Sequence, residues 1–199
     1  MEKQDGNTIE NTFLMEKARV FIGIPAGEEL LEDFVEFRKR HAGLPVRWIK
    51  PENLHFTVIP PWESENPAAV CELIAKVASA FQASRGVLTR VKTGPLSSKP
   101  GLIWATGQAA PFFGPLRDEL YRALPVVRKE HRPYLLHLTI ARVRRDVQHE
   151  LACMKLDEPV AWNALFRKLS LYESVLKQSG AEYTVLCEAF LGKQTNKEL

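Results

Sequence analysis

The stretch that decides the fold is His55-Phe56-Thr57-Val58, which the 199-residue chain repeats as His137-Leu138-Thr139-Ile140. Each copy places a histidine and a threonine two residues apart, with apolar residues between and after them. Alternate side chains of an extended strand point to opposite faces, so the polar pair shares one face and the apolar pair packs on the other. The pattern therefore predicts two strands that carry polar groups to a site.

The elements around the two copies also repeat. A shift of 82 residues superposes three features of the first half on three of the second: strand 20–24 on 102–106, the helix from 28 on the helix from 111, and His55 on His137. Residue identity is low outside the motifs, so the alternative is coincidence in a common strand-helix-strand alternation. A duplication predicts two similar half-units whose equivalent strands face one shared cleft.

Hydrophobic periodicity and turn residues predict the remaining elements. Apolar residues at helical spacing indicate helices at 28–40, 66–83, 111–124 and, weakly, 146–154. Apolar, β-branched and aromatic runs indicate strands at 19–24, 47–49, 54–59, 86–91, 102–106, 135–143, 165–176 and 182–191. We expect Pro60 and Pro61 to end the first motif strand. We expect one domain over 17–192, a flexible lead-in at 1–16 and a loose tail at 193–199.

The composition is that of an ordinary globular protein whose charge is uneven. Hydrophobic residues make up 45% of the chain and charged residues 26%. No apolar run approaches the ~20 residues needed to span a bilayer, and the first 11 residues are polar, so we expect a cytoplasmic protein without membrane contact. Residues 85–145 hold 12 Lys/Arg against 3 Asp/Glu, which favours a polyanionic ligand, although charge runs are more often solvated surface.

The cysteines give no sign of a disulfide framework or a zinc site. Cys71, Cys153 and Cys187 are odd in number, widely spaced and without a CxxC pair. We expect all three to be reduced and mostly buried.

The paired histidines suit the cleavage of a phosphoester. An imidazole with a pKa of ~6.5 can take or give a proton near neutrality, so one ring can activate the nucleophile while the other protonates the leaving oxygen. A threonine two residues on lies ~6.6 Å along the same face, within reach of a non-bridging phosphate oxygen. Arg142 is the natural positive charge, but its odd spacing from His137 requires a bend that redirects it.

Other side chains are weaker candidates. Four cations are possible contacts for the rest of a nucleotide chain, with plain solvation as the alternative: Lys99, Arg132, Arg144 and Arg145. Three rings can stack on a base, with core packing as the better alternative: Trp48, Trp104 and Tyr134. A metal site on His55 and His137 is a further alternative, but no carboxylate, cysteine or third histidine stands at ligand spacing, so we predict none.

The doubled HxTx motif with its arginine resembles the 2H phosphoesterases, in the branch of the RNA 2',3'-cyclic phosphodiesterases, also called 2'-5' RNA ligases or LigT-like proteins. Four stretches between about 18 and 191 carry the resemblance: Arg19–Pro25, Arg47–Val58, Ile103–Ala105 and His137–Arg142. The chain departs from the branch where Ile59-Pro60-Pro61-Trp62 replaces the usual Phe-Leu-Gly and where Leu136 replaces a proline. Both departures concern the groove rim and hence the substrate.

The resemblance implies catalytic His55 and His137, phosphate-binding Thr57 and Thr139, and a substrate-contacting Arg142. It implies an α+β, bilobal fold of two similar half-units, with mainly antiparallel sheets around a central groove and helices on the outer faces. It also implies a phosphoric diester hydrolase, without metal or cofactor, that opens a 2',3'-cyclic phosphate at an RNA or nucleotide end to a 2'-phosphate. The same groups also allow the reverse reaction, 2'-5' ligation. We expect the protein to be a monomer.

Two alternatives stay open at this point. The same two-histidine chemistry can serve another phosphodiester, such as a 2'-5' linked oligonucleotide or a small cyclic nucleotide. A protein of a different class can use a basic groove to bind RNA ends without reacting, although such a module has no need of two titratable groups in matching positions.

Overall fold

The computed structural model describes residues 17–124, 127, 134–177 and 180–192, and these contain nine strands and four α-helices. The expected lead-in at 1–16, the tail at 193–199 and positions 178–179 between the last two predicted strands lie outside the described residues. The strands are β1 (Ala18–Pro25), β2 (Val46–Trp48), β3 (His55–Ser64), β4 (Ser84–Gly94), β5 (Leu102–Gly107), β6 (Leu136–Val143), β7 (Asp157–Phe166), β8 (Lys168–Lys177) and β9 (Gly180–Phe190). The helices are α1 (Glu28–Arg40), α2 (Pro67–Ala78), α3 (Phe113–Ala123) and α4 (Gln148–Met154).

The strands form two antiparallel sheets. The first sheet has the order β3-β1-β8-β9, and the second has the order β2-β6-β5-β4-β7. Each motif strand lies beside the opening strand of its own half, β3 beside β1 and β6 beside β5. The prediction of an α+β fold with two similar half-units and antiparallel sheets is confirmed.

Both motif strands carry the same irregularity. Val58 is the extra residue in the β1–β3 ladder, directly after Thr57, and Ile140 is the extra residue in the β5–β6 ladder, directly after Thr139. Such a bulge bends a strand and changes the face to which the following side chains point. The repeat therefore extends from the two motifs to the path of the backbone behind them.

Helices cover the sheets, and none of the groove-lining residues comes from an α-helix. Phe34 and Phe37 of α1 contact the ring of Trp48, and Phe37 also contacts Trp162 of β7, so α1 covers the second sheet. Helix α2 lies on β8 and β9, and α3 contacts β3. In the part of the chain that the structure describes, no helix is long and apolar enough to cross a membrane.

Three predicted boundaries are wrong. Strand β3 continues through Pro60 and Pro61 to Ser64, because it is an edge strand beside a bulge, where a missing N–H is tolerated. Helix α2 ends at Ala78 rather than 83, where the Ser79 hydroxyl donates back to the Lys76 carbonyl. The predicted strand 165–176 is the end of β7 and most of β8, and the polar first half of β7 was missed.

The prediction that all cysteines are reduced and mostly buried is also wrong. Cys71 of α2 and Cys187 of β9 form a disulfide with Cα atoms 6.1 Å apart. The packing of α2 on β9 brings together two residues that are 116 positions apart, a proximity that sequence spacing does not reveal. Cys153 is free, as expected, but it is exposed.

Candidate active site

A groove of about 560 Å³ is lined by residues of both sheets and contains the polar faces of β3 and β6. All five site residues predicted from the sequence line it: His55, Thr57, His137, Thr139 and Arg142. Neither imidazole is sealed in the core, because both rings are only partly buried. The fold therefore brings the two distant motifs to one solvent-filled space.

Gly23 of β1 leaves room for the imidazole ring of His55. Gly23 pairs with Thr57 in the β1–β3 ladder. A Cβ atom at Gly23 would lie 3.1 Å from the Phe56 carbonyl and 3.3 Å from Cδ2 of His55, so any larger residue would crowd the ring. The absence of a side chain at Gly23 therefore lets His55 lie close against β1.

The backbone orients both imidazoles in the same way. Nδ1 of His55 lies 2.7 Å from the Asn53 carbonyl, and Nδ1 of His137 lies 3.0 Å from the Leu135 carbonyl. A carbonyl oxygen can only accept, so each Nδ1 carries a hydrogen and donates it. In the neutral ring Nε2 is then the free acceptor, and it is the nitrogen available for proton exchange.

The surroundings of His55 keep its ring neutral. Its centroid lies 4.7 Å from that of Phe21, 5.3 Å from Tyr183 and 5.4 Å from Tyr172. Burial lowers the pKa of His55 to about 4, the positive charges of His137 and Arg142 act in the same direction, and the bond to Asn53 opposes them. At neutral pH this imidazole is therefore a base without a proton on Nε2.

The second half-site has fewer aromatic neighbours among the described residues and carries the arginine. In that part of the chain His137 contacts one aromatic ring, that of Trp104, at 5.3 Å between centroids. Ile140 and Ala141 are both buried, because the bulge at Ile140 interrupts the alternation of faces, and Arg142 consequently joins the polar face. The bend that the odd spacing of Arg142 required is present.

Comparison with known proteins identifies the family. Residues 29–177 match the model of the 2'-5' RNA ligase superfamily. This chain belongs to the 2'-5' RNA ligase superfamily. The resemblance to the LigT-like 2H phosphoesterases, drawn from the two motifs, is thereby confirmed.

Solved structures share the superfamily fold at low sequence identity. TT0787 of Thermus thermophilus is 20% identical, with a TM-score of 0.73 over 88% of this chain and 99% of that one. E. coli LigT complexed with 3'-AMP is also 20% identical, with a TM-score of 0.68 over 89% and 100% of the two chains. E. coli LigT complexed with NADP+ gives a TM-score of 0.67 at the same identity and coverage. No curated protein sequence matches this chain.

The structure adds groove residues that the sequence reading of this superfamily member missed. Arg19 and Phe21 of β1, Arg47 of β2 and Tyr183 of β9 line the groove, which has no aspartate or glutamate among its described lining residues. Nη1 of Arg19 donates to Oγ of Ser174 at 2.9 Å. Arg19 and Phe21 could have been predicted, because they lie at even spacing from Gly23 in a strand whose side chains alternate between two faces. Arg47 has no comparable signal.

The weaker candidates stay outside the groove. Arg144 pairs with Asp146 at 2.8 Å, neither Lys99 nor Arg145 lines the groove, and Arg132 lies outside the described residues. The three candidate stacking rings pack against other rings instead: Trp48 on Phe34 and Phe37, Trp104 on His137, and Tyr134 on Phe113. Among the described residues no three His, Cys, Asp or Glu side chains cluster as metal ligands, and metal-free chemistry stays a prediction.

Proposed function

We propose that this protein hydrolyses a 2',3'-cyclic phosphate at the end of an RNA or nucleotide to a 2'-phosphate, without a metal or cofactor. The observation that carries the proposal is the convergence of His55, Thr57, His137 and Thr139 on one groove, with both Nδ1 atoms tied to backbone carbonyls. An acid, a base and two hydroxyl donors around one anion are what in-line phosphoester cleavage requires.

The different surroundings of the two histidines favour a division of roles. His55 is neutral at rest, so Nε2 accepts the proton of the attacking water as the oxygen bonds to phosphorus. The phosphorus–O3' bond breaks, and His137 gives a proton to the departing O3', which leaves the phosphate on the 2' oxygen. Transfer of a proton from His55 to His137, through solvent, restores the resting state. Each role typically contributes ~10²–10⁴ in rate.

The other polar side chains stabilise the developing charge. The hydroxyls of Thr57 and Thr139 stand two residues from the histidines on the two opposed strands, and each donates to one non-bridging phosphate oxygen. Arg142 adds a positive charge to the same space. These three side chains take no part in the two proton transfers, which belong to the histidines.

The chemistry of the groove walls supports a nucleotide as substrate. Phe21, Tyr183 and Leu176 present rings and an apolar side chain from the first sheet, whereas Arg47 and Arg142 present cations from the second. Arg19 adds a third cation to the groove, from β1 of the first sheet. An aromatic wall suits a base and a cationic wall suits a phosphate backbone. E. coli LigT, of the same fold, has been solved with 3'-AMP and with NADP+, which favours the same ligand class here. The cytoplasmic location, the monomeric state and the single domain over 17–192 stay predictions.

The decisive experiment is an assay of the full chain with cytidine or adenosine 2',3'-cyclic phosphate in excess EDTA, with the product assigned by phosphorus NMR. We expect a nucleoside 2'-phosphate. A 3'-phosphate as sole product, no turnover, or turnover that EDTA abolishes would contradict the proposal.

The rim of the groove makes a substrate panel worthwhile. Pro61 lines the groove and belongs to the stretch that departs from the superfamily's usual first motif. A 2'-5' linked oligonucleotide and a small cyclic nucleotide should therefore be assayed beside the 2',3'-cyclic substrate, since faster turnover of either would move the substrate but keep the mechanism. A binding module would instead retain its RNA affinity after both histidines are replaced by alanine and would turn over nothing.

A further inference from the structure

The Thr57 carbonyl points away from its own sheet. Strand β3 is an edge of the first sheet. The N–H of Ala26 donates to the Leu54 carbonyl at 2.9 Å, so the backbone groups of Leu54 face β1. Those groups alternate sides along a strand, and the groups of Thr57, three residues later, therefore face outwards.

The two half-units satisfy this outer edge differently. Beyond β6 the second sheet continues with β2, and just past β2 the N–H of Ile49 donates to the Ile140 carbonyl at 2.9 Å. Beyond β3 no strand follows within the described residues. There, the hydroxyl of Tyr134 donates to the Thr57 carbonyl at 3.1 Å. In the first half, a tyrosine hydroxyl thus bonds the backbone of the motif strand on the side where β2 lies in the second half.

Tyr134 is partly buried and packs against the hydrophobic core. Its ring stacks on Phe113 with centroids 4.6 Å apart and planes 20° apart, and the guanidinium carbon of Arg117 lies 5.2 Å from the ring centroid. Burial raises the pKa of Tyr134, so the hydroxyl keeps its proton and stays a donor. The side chain is not among the groove-lining residues, so its effect on a bound substrate would pass through Thr57.

We propose that Tyr134 is a positioning residue that fixes the first motif relative to the second. It lies three residues before His137 in the chain, and its hydrogen bond acts on Thr57, two residues after His55. This bond therefore links the two half-sites, in addition to the direct contact of β3 with β6, and helps to hold the spacing between the histidines. Its effect on catalysis rests on the function proposed above.

Loss of the hydroxyl should loosen the alignment of the reacting groups more than it weakens binding. The Thr57 carbonyl would lack its partner, and β3 would shift to find another. Displacements near 1 Å can lower rates by ~10²-fold when acid, base and phosphate must be in line. Substrate affinity depends on the groove walls, which Tyr134 does not form.

The test is Tyr134→Phe with Tyr121→Phe as its matched control. The Tyr121 hydroxyl is buried without a hydrogen-bond partner in the described part of the chain, and its ring centroid lies 5.7 Å from the same Arg117 guanidinium carbon. We expect Tyr134→Phe to lower kcat about tenfold or more with KM within twofold, and Tyr121→Phe to leave both unchanged. Equal losses in the two variants, or no loss in Tyr134→Phe, would overturn the proposal.

Two further measurements separate positioning from general damage. The loss caused by Tyr134→Phe should be smaller in a His55→Gln background, where the base that it aligns is absent. Proton NMR of the imidazoles during titration with inorganic phosphate should show an altered response of His55 in Tyr134→Phe. This titration needs no turnover, so if the wild type hydrolysed nothing it would still decide the role of Tyr134, and an unaltered response would refute it.

Discussion

The two half-sites have the same backbone but different surroundings. In both, the histidine Nδ1 donates to the carbonyl two residues earlier, and a bulge follows the threonine. His55, however, is packed among three aromatic rings, whereas His137 contacts one. Burial lowers the pKa of His55 to about 4. The two halves therefore share a local backbone geometry but differ in electrostatic environment, which suits the two histidines to opposite roles.

The charge around the bulges differs in the same sense. After the second bulge comes Arg142, and the position that matches it under the repeat is Pro60. Arg47 pairs directly with Arg142 across β2 and β6, and both line the groove. Two arginines on one wall of the groove raise the local positive potential, which suits this side to an anion. The arginine that follows the motif is thus a feature of the second half, although Arg19 brings a cation to the groove from the first.

Replacing either histidine should have the largest effect. We expect His55→Gln and His137→Gln each to lower kcat on a 2',3'-cyclic nucleotide by ~10²–10⁴, because each removes one of the two proton transfers. The double variant should lose little more than the worse single one, since half of an acid-base pair is of little use alone. Steady-state kinetics with phosphorus NMR of the product provides the measurement. If either single variant retained near wild-type turnover, the replaced histidine would not carry one of the two proton transfers, despite its matching geometry.

Breaking the disulfide should affect stability and leave the chemistry intact. The bond between Cys71 and Cys187 ties α2 to the first sheet and closes a loop across 116 positions. Cys71→Ala/Cys187→Ala should lower the free energy of unfolding by about 2–4 kcal/mol, since the unfolded chain gains freedom. Urea unfolding of the wild type and the double variant, each with and without reductant, measures this. Activity at low urea should not change, and a loss of activity there would mean that the first sheet depends on the disulfide for its shape.

Removing the threonine hydroxyls compares the two half-sites directly. Thr57→Val and Thr139→Val keep the side-chain volume and each lose one donor to the phosphate. A hydrogen bond to a charged group contributes ~1.5–3 kcal/mol, so we expect kcat/KM to fall ~10- to 100-fold in each. Similar losses would show that both oxygens are held equally. A loss confined to one variant would show that the phosphate is bound by one half alone.

Sequence patterns were sufficient to bring the two histidines and two threonines together, because each pair alternates within a strand. The spacing of His55 from Thr57 and of His137 from Thr139 fixed a shared face, and the repeat predicted that the two faces meet. The 82-residue shift holds for the motifs, but the ladders pair Gly23 with Thr57 and Trp104 with Thr139, so the opening strands superpose at 81. The difference of one residue between the two shifts arises in the segments that connect the opening strands to the motif strands, and hydrophobic periodicity does not reveal it.

Features that depend on contacts between distant segments were not predictable. The disulfide follows from α2 packing on β9, and Arg47 enters the groove because β2 pairs with β6. The bulge at Ile140 that turns Arg142 towards the groove has no local sequence signal, and neither has the bulge at Val58, since both positions hold ordinary strand residues. Strand β7 was missed because its first half is polar, Asp157-Glu158-Pro159, and becomes a strand by pairing with β4.

The smallest predicted effect is a pH dependence of stability that belongs to His55 alone. Its pKa is about 4 in the folded protein against 6.5 for an unperturbed ring. The unfolded chain therefore binds more protons between these values, so the contribution of His55 to stability is complete above pH 6.5 and is lost as the pH falls towards 4. The full shift would correspond to ~3 kcal/mol, but one edge of the ring meets the groove solvent, and we expect ~1–2 kcal/mol after screening.

The measurement compares wild type and His55→Gln by urea unfolding at pH 7 and pH 4.5 in buffer without phosphate, because a bound anion would favour the charged ring. Other groups titrate equally in both proteins, so the informative quantity is the difference in free energy of unfolding between wild type and variant. Lowering the pH from 7 to 4.5 should shift this difference in favour of the variant. NMR titration of the His55 ring gives the same quantity directly. A midpoint above pH 6 would show that the aromatic rings do not desolvate this imidazole, and the difference between the two half-sites would then lie in Arg142 rather than in the histidines.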